Sequence, residues 1–446
     1  MRRSILIRGG RVIDPASNVD RVTDVLLKDG RIEAIDDRLS TPDDADVIDA
    51  PGMVVCPGFV DVHVHLREPG GEHKETIATG SHAAVAGGFT TVCAMPNTDP
   101  PIDDPAAVGF VRAEGLRAGR ARVYPVGAIS VGMAGERLTE FGEMVDAGAV
   151  GVTDDGRPVS DAGLMRLALE YARTFDIPVA AHCEVLSLSR KGSMNEGIVS
   201  TRLGLTGIPN AAEDVMIARD IILAELTGGR LHVQHVSTRG GVELIRRAKE
   251  AGLSVTAEAT PHHLTLTDDA VDRYRTDAKM NPPLRTNADR EAVRAGLADG
   301  TLDCIATDHA PHARDEKDVP FEQAPMGTTG LETAFAAVYT DLVLPGTLAL
   351  ELVVEKLTAG LGLLDLFVPT IAAGERANLV LVDLDAEWVV GESGYESRSE
   401  NSCFAGRTLR GRVLLTVASG AVAYRERSTI LSVPARVASS ARQSLR

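Results

Sequence analysis

From Pro57 to about residue 308, short β-rich runs alternate with longer segments of helical period, and this alternation constrains the fold more than any other feature. The β-rich runs lie near 58–65, 89–95, 122–128, 150–154, 178–183, 231–236, 254–259 and 303–308. Helical periodicity occupies 105–119, 161–175, 211–227, 240–251 and 287–299 between them. Strands that alternate with helices pair in parallel, because each helix carries the chain back across the sheet face. Eight such strands predict a (β/α)8 barrel of the TIM type, and alternation alone leaves a doubly wound open sheet as the alternative.

The two ends of the chain have a different rhythm. Ser4 to Ile13 predicts a hairpin turning at Gly9-Gly10, and Asp29-Gly30 predicts a second turn between 24–27 and 31–35. No helical period appears before Pro57, and β character returns after about residue 367, in 377–383 and 412–417. Chain ends of a domain commonly lie close together. Residues 1–56 and 367–427 are therefore expected to build one small β-sandwich domain beside a barrel of 57–366. The Ser-, Arg- and Ala-rich residues 428–446 are expected to be a loosely held tail.

Composition narrows the function classes. Hydrophobic residues make up 44% and charged residues 24%, the balance of a soluble globular protein. A net charge of -17 argues against a general nucleic-acid binder, which needs clustered Lys and Arg. No apolar run approaches the ~20 residues that cross a bilayer. The basic start Met1-Arg2-Arg3 precedes only Ile5-Leu6-Ile7, well short of a secretory apolar core. The five cysteines are scattered, odd in number and without a CxxC pair, so a reduced, cytoplasmic setting is expected.

The strongest chemical signal is Asp61-Val62-His63-Val64-His65-Leu66-Arg67. Side chains two apart on a strand share a face, so His63 and His65 project together while Val62 and Val64 pack the other way. Two imidazoles so placed can grip one borderline cation such as Zn²⁺. Asp154 and Asp155, His182, His235 and Asp308 each end another predicted strand. In a barrel these positions converge on the C-terminal mouth, where such folds place their active sites. His232, three residues before His235, is expected to face the opposite side as a hydrogen-bonded packing residue. His262 and His263 follow the seventh strand, and either a supporting or a plain loop role fits them. His73 and His82 read as surface or structural.

Together with Ala306-Thr307-Asp308-His309-Ala310-Pro311-His312 and Lys317 downstream, the His-x-His segment resembles the two signature segments of dihydroorotases, members of the metal-bearing amidohydrolase superfamily. The resemblance spans nearly the whole chain, split β domain included. It implies that His63, His65 and Asp308 hold one metal, with His182 and His235 placed for a second, so one or two Zn²⁺ per subunit. Many superfamily members bridge their metals with a carboxylated lysine. Here the fourth strand ends Thr153-Asp154-Asp155-Gly156, similar to the long-chain (type I) dihydroorotases, and by that match Asp155 takes the bridging place.

The same resemblance assigns the substrate side to His65, Arg67, Asn97, Asn281, His312, Met326 and Gly327. Arg67 also has a chemical argument, since its fork suits the bidentate capture of a substrate carboxylate. The reaction implied is the reversible cyclisation of N-carbamoyl-L-aspartate to L-dihydroorotate and water, a step of pyrimidine synthesis. A metal-activated water is its nucleophile and Asp308 its general acid and base. The charged loop 311–325 is expected to act as a lid. A homo-oligomer is expected, with association to aspartate carbamoyltransferase as a further partner. The rival readings are a hydantoinase or allantoinase, and a non-catalytic subunit of that transferase.

Overall fold

A computed structural model describes residues 4–426; the tail expected at 428–446 lies outside the described residues. Besides the short parallel pair Met194–Asn195 and Gly207–Ile208, eight strands run through the middle of the chain: β1 (Phe59–Val64), β2 (Phe89–Ala94), β3 (Arg122–Pro125), β4 (Val152–Thr153), β5 (Val179–Ala181), β6 (Leu231–Val233), β7 (Val255–Ala259) and β8 (Cys304–Ile305). Every β-rich run read from the sequence between 58 and 308 therefore contains a strand.

All pairings among the eight are parallel. β1, β2 and β3 form one sheet, and β4 to β8 form another in chain order. Single parallel bridges, Gly127 to Val152 and Val64 to His309, join the remaining edges. Each of the eight contributes to one large buried cluster that includes Val64, Val92, Val123, Val152, Val179, Val233, Val255 and Ile305.

The helices between the strands begin where a side chain can satisfy a free amide. Asp104 caps Pro105–Ala118, Asp161 caps Ala162–Ala172, Thr238 caps Arg239–Glu250 and Thr286 caps Asn287–Ala298, each accepting from the backbone three residues on. Each cap lies past a strand end, so the chain turns there and leaves the strand's last residues facing one common end.

The chain ends build a separate sheet. Val54–Pro57 pairs in parallel with Ile5–Asp14 and antiparallel with Leu379–Val389, so a single strand ties the two termini together. Ile7, Val12, Val25, Ile32, Val55, Leu379, Leu381 and Leu415 form its own buried cluster. One local expectation fails: Gly9-Gly10 is not a turn. Ile5–Asp14 runs straight through as one strand, with its register against Val19–Lys28 shifting between Ile7 and Gly10. Gly9 at φ 68° forms a bulge there, its amide donating to Asp24 Oδ1 at 2.8 Å. The chain reverses instead through Pro15–Ser17. A Gly with positive φ serves a bulge as well as a turn, and only the partner strand distinguishes them.

All five cysteines are free and buried. No helix among the described residues is long and apolar enough to cross a membrane.

Candidate metal centre

His63 lies near the end of β1, and its backbone amide donates to Asp61 Oδ1 at 3.0 Å. The same carboxylate oxygen receives the Thr307 amide at 3.1 Å, which ties the end of β1 to the segment after β8. His65 follows β1, its amide donating to the His309 carbonyl at 2.8 Å. The two rings stand 5.4 Å apart on one side, as period-two spacing requires.

Asp155 sits between two groups of imidazoles. Its Oδ2 lies 3.4 Å from His63 Nε2 and 3.3 Å from His65 Nε2. Its Oδ1 lies 3.7 Å from His182 Nδ1 and 3.5 Å from His235 Nε2, and those two nitrogens are 2.9 Å apart. Asp308 Oδ1 joins the first group, 3.0 Å from His65 Nε2 and 3.7 Å from His63 Nε2. His63, His65 and Asp155 make one set of donors able to hold a cation, and Asp155, His182 and His235 make another. Asp308 at φ 47° and His235 at φ 34° take left-handed backbone that costs a non-glycine residue energy.

Three of these buried polar atoms, His63 Nε2, Asp155 Oδ1 and His235 Nδ1, have no hydrogen-bond partner. Burying such groups unsatisfied is costly, and a cation among them removes the cost for those that face it. Burial opposes charge on His63, yet the carboxylates of Glu258 and Asp155 outweigh it and push its pKa well above the usual value. Burial likewise opposes ionisation of Asp155, but His63, His235 and His65 hold it well below the usual carboxylate range. The donor set fits a divalent ion of the Zn²⁺ type.

Asp154 is turned away from the centre. Its Oδ1 accepts the amides of Ile129 (2.8 Å) and Ser130 (3.0 Å), and its Oδ2 accepts the Ser130 hydroxyl. Of the adjacent pair, Asp155 alone faces the imidazoles, as expected.

Of the other expected residues, Asn97 and Asn281 contact imidazoles of this centre. Arg67 directs Nε to the Pro311 carbonyl at 3.2 Å; burial lowers its pKa against the pull of Asp308 and Asp155. Asn97 Oδ1 accepts from His65 Nδ1 at 2.8 Å, which turns His65 Nε2 inward. Asn281 Nδ2 donates to Glu184 Oε2 at 2.8 Å and lies 3.3 Å from His182 Nε2. His312 Nε2 donates to the Met326 carbonyl at 2.9 Å, so these two expected residues are in direct contact. Gly327 has φ 141°, and a Cβ there would come within 2.8 Å of Ala310, so only glycine fits.

The segment 311–325 is tied down by two buried ammonium groups. Lys317 Nζ donates to the carbonyls of Thr276 (2.9 Å), Lys279 (3.4 Å) and Pro325 (2.9 Å). Lys279 Nζ donates to those of Phe321 (2.8 Å), Glu322 (3.0 Å) and Ala324 (2.7 Å). A lid motion of this loop would have to break these contacts.

His232 is a hydrogen-bonded packing residue, with Nε2 3.1 Å from Glu258 Oε2 and Nδ1 2.9 Å from Thr256 Oγ1. His263 is bonded on both ring nitrogens, to Thr260 Oγ1 (2.8 Å) and the Pro282 carbonyl (3.0 Å). His262 is buried with Nε2 unpartnered, and burial takes its pKa down to about 4. His73 and His82 lie toward the surface, with ring nitrogens 3.6 Å from Glu316 and 3.3 Å from Glu396. Two carboxylates next to the imidazoles were not expected: Glu258 on β7, and Glu184, 3.2 Å from His182 Nε2. Glu184 could have been found from its place two residues after His182. Glu258 follows the hydrophobic alternation of β7 and carries no such signal.

Known proteins resemble the chain over nearly its whole length. Residues 52–241 match the protein family described as Dihydro-orotase-like. The dihydroorotase of Anaeromyxobacter dehalogenans is 55% identical over 425 residues, covering 95% of this chain and 98% of that protein. The dihydroorotase of Syntrophotalea carbinolica is 51% identical, with 94% and 99% covered. Among solved structures, the L-hydantoinase of Arthrobacter aurescens superimposes with a TM-score of 0.84 at 26% identity, over 96% of this chain and 98% of that one. The D-hydantoinase of a Thermus species gives 0.79 at 25% identity, over 96% and 97%.

Proposed function

Because the chain belongs to the dihydroorotase family of cyclic amidohydrolases, we propose that it interconverts N-carbamoyl-L-aspartate and L-dihydroorotate with zinc at the His/Asp centre. The observation that carries this reading is Asp155, whose two oxygens face two separate imidazole pairs beside Arg67 and Asp308. We read β1 to β8 as a closed (β/α)8 barrel of 57–366, and the sheet of 1–56 and 367–427 as its small β-sandwich domain. The barrel would present the centre at its C-terminal mouth, the usual place for catalysis in this fold.

His63, His65 and Asp308 would hold one ion, His182 and His235 a second, with Asp155 shared. A divalent ion held by these residues would supply Lewis-acid polarisation of the amide carbonyl and activation of water near neutral pH. Asp308 Oδ1, 3.0 Å from His65 Nε2, would take the water's proton in the hydrolytic direction and return it to the leaving ring nitrogen. Arg67 would clamp the substrate carboxylate away from the reacting amide. Asn281 and His312 would orient the ring, with the backbone at Met326-Gly327 along its edge. Asn97 would act through the orientation of His65 as well as by contact. We place the enzyme in the cytoplasm as a homo-oligomer, and include association with aspartate carbamoyltransferase in the proposal.

A hydantoinase is the second reading, favoured by the structural likeness at 26% identity. The 55% identity to a dihydroorotase and the aspartate where a bridging lysine would stand weigh against it. An ultraviolet assay with dihydroorotate, hydantoin and allantoin, with zinc content measured on the same preparation, separates the two. Turnover of hydantoin without dihydroorotate would overturn the proposal.

A further inference from the structure

Glu258 is 1% exposed and ends no strand, yet three donors converge on its carboxylate. Its Oε1 lies 2.5 Å from His63 Nδ1 and accepts the His235 backbone amide at 3.1 Å. Its Oε2 lies 3.1 Å from His232 Nε2. A fully buried carboxylate persists only when its lone pairs are matched by donors, and here both oxygens are matched.

We infer that Glu258 is the positioning residue of the centre: it holds His63 as the Nδ1–H tautomer, so that the Nε2 lone pair faces the metal, and it is itself held in place by His232. The inference rests on the reading of His63 as a metal ligand.

The geometry leaves little freedom. An imidazole that donates from Nδ1 has its acceptor at Nε2, and His63 Nε2 is the buried atom without a partner, 3.4 Å from Asp155 Oδ2. Gln234 Nε2 also approaches His63 Nδ1, but at 3.4 Å it does not compete with a charge-assisted contact of 2.5 Å. Gln234 is engaged elsewhere, its Oε1 accepting the Thr153 hydroxyl at 3.1 Å. On the far side, Thr256 Oγ1 lies 2.9 Å from His232 Nδ1. If the hydroxyl donates, His232 is left as the Nε2–H tautomer that Glu258 requires. A chain Thr256, His232, Glu258, His63 thus runs from one face of β6 and β7 to the centre.

Such a carboxylate raises the basicity of the ligand it orients and fixes the ring, so it contributes to affinity for the ion without touching it. The other histidines are served differently. His65 has only the neutral Asn97 amide, and His182 has Glu184, whose side chain is 13% exposed. Of the four histidines of the centre, His63 is the one whose outward ring nitrogen meets a fully buried carboxylate.

The test uses the full-length enzyme, stripped of metal and titrated with zinc against a competing chelator. Glu258→Gln is expected to weaken zinc binding about 10–100-fold, while the metal-free protein keeps its circular dichroism. The zinc-loaded wild type, labelled with 15N-histidine, is expected to show a far-downfield His63 Nδ1–H proton that moves upfield in the variant. Unchanged zinc affinity in Glu258→Gln, or a wild-type His63 without a proton on Nδ1, overturns the inference. His63→Ala separates the two levels: if it too binds zinc normally, the metal reading fails, and if it alone loses zinc, only the role of Glu258 fails. Should Glu258→Gln not fold, the wild-type resonance decides.

Discussion

Asp308 Oδ1 lies 3.0 Å from His65 Nε2, although 243 positions separate the two residues in sequence. The carboxylate is also 3.7 Å from His63 Nε2, so it can hold an ion and still present an oxygen to the reacting group. Asp308→Asn keeps the shape and removes the basic oxygen. It is expected to lower turnover about 10²–10⁴-fold in both directions, as read by the absorbance of dihydroorotate. Near-normal turnover would end the assignment of Asp308 as acid and base.

In the proposed reaction Arg67 would bind the substrate carboxylate. Lysine keeps the charge but loses the planar fork and the Nε contact to the Pro311 carbonyl. Arg67→Lys is expected to raise KM for carbamoyl-aspartate roughly 10–100-fold, the cost of a charge-assisted pair, with a smaller change in kcat. Steady-state kinetics in the cyclising direction measure both. An unchanged KM would move the carboxylate site elsewhere.

Lys317 pins the loop after β8 through three backbone carbonyls. Burial brings its pKa down to about 8, so the ammonium is held at a cost that its hydrogen bonds offset. Lys317→Met fits the aliphatic stem but leaves those carbonyls short of a donor, at about 1–3 kcal/mol. A lower melting temperature and faster proteolysis within 311–325 are expected. If the loop is as protected as in the wild type, the lysine does not anchor it.

Glu332 carries a pH signature outside the metal centre. Its carboxylate accepts the amides of Glu396 and Ser397, both at 3.0 Å, but burial still raises its pKa to about 7. The folded pKa lies above the ordinary value of 4.5, so the folded state binds the extra proton between these limits. Its contribution to stability is full below pH ~4.5 and is lost as pH rises through ~7. Glu332→Gln, neutral throughout, should therefore gain on the wild type above pH ~7, by about 1–3 kcal/mol, and show no such gain below pH ~5. Denaturant midpoints at pH 5 and 8 check this; an equal difference at both would show that ionisation of Glu332 is not the cause.

Some of the site could be read from local spacing alone. His63 and His65 share a face because strands have a period of two, and that holds whatever the chain packs against. Asp155 was a different matter, since Asp154 beside it has the same chemistry. The structure separates them by the amides of Ile129 and Ser130, which capture Asp154 from another loop. Gly9-Gly10 is ambiguous in sequence for a related reason: bulge and turn need the same backbone freedom, and the partner strand Val19–Lys28 selects the bulge. Glu258 carries no signal in sequence because a carboxylate in a β run ordinarily marks a solvent face. Here His63, from β1, and His232, from β6, supply the donors that let it be buried.

The sequence by itself determined the alternation of strands and helices, the split β unit at the chain ends, and the type of residue at each strand end. Those follow from periodicity and turn chemistry, which act over a few residues. Which oxygen faces which nitrogen was decided only by the tertiary structure. The bridge from Val64 to His309 brings together the ends of β1 and β8, and the parallel pairs from β4 to β6 bring Asp155, His182 and His235 side by side. Charge balance and hydrogen-bond matching in a buried site depend on separations of a few ångströms between distant segments, and no local pattern encodes those separations.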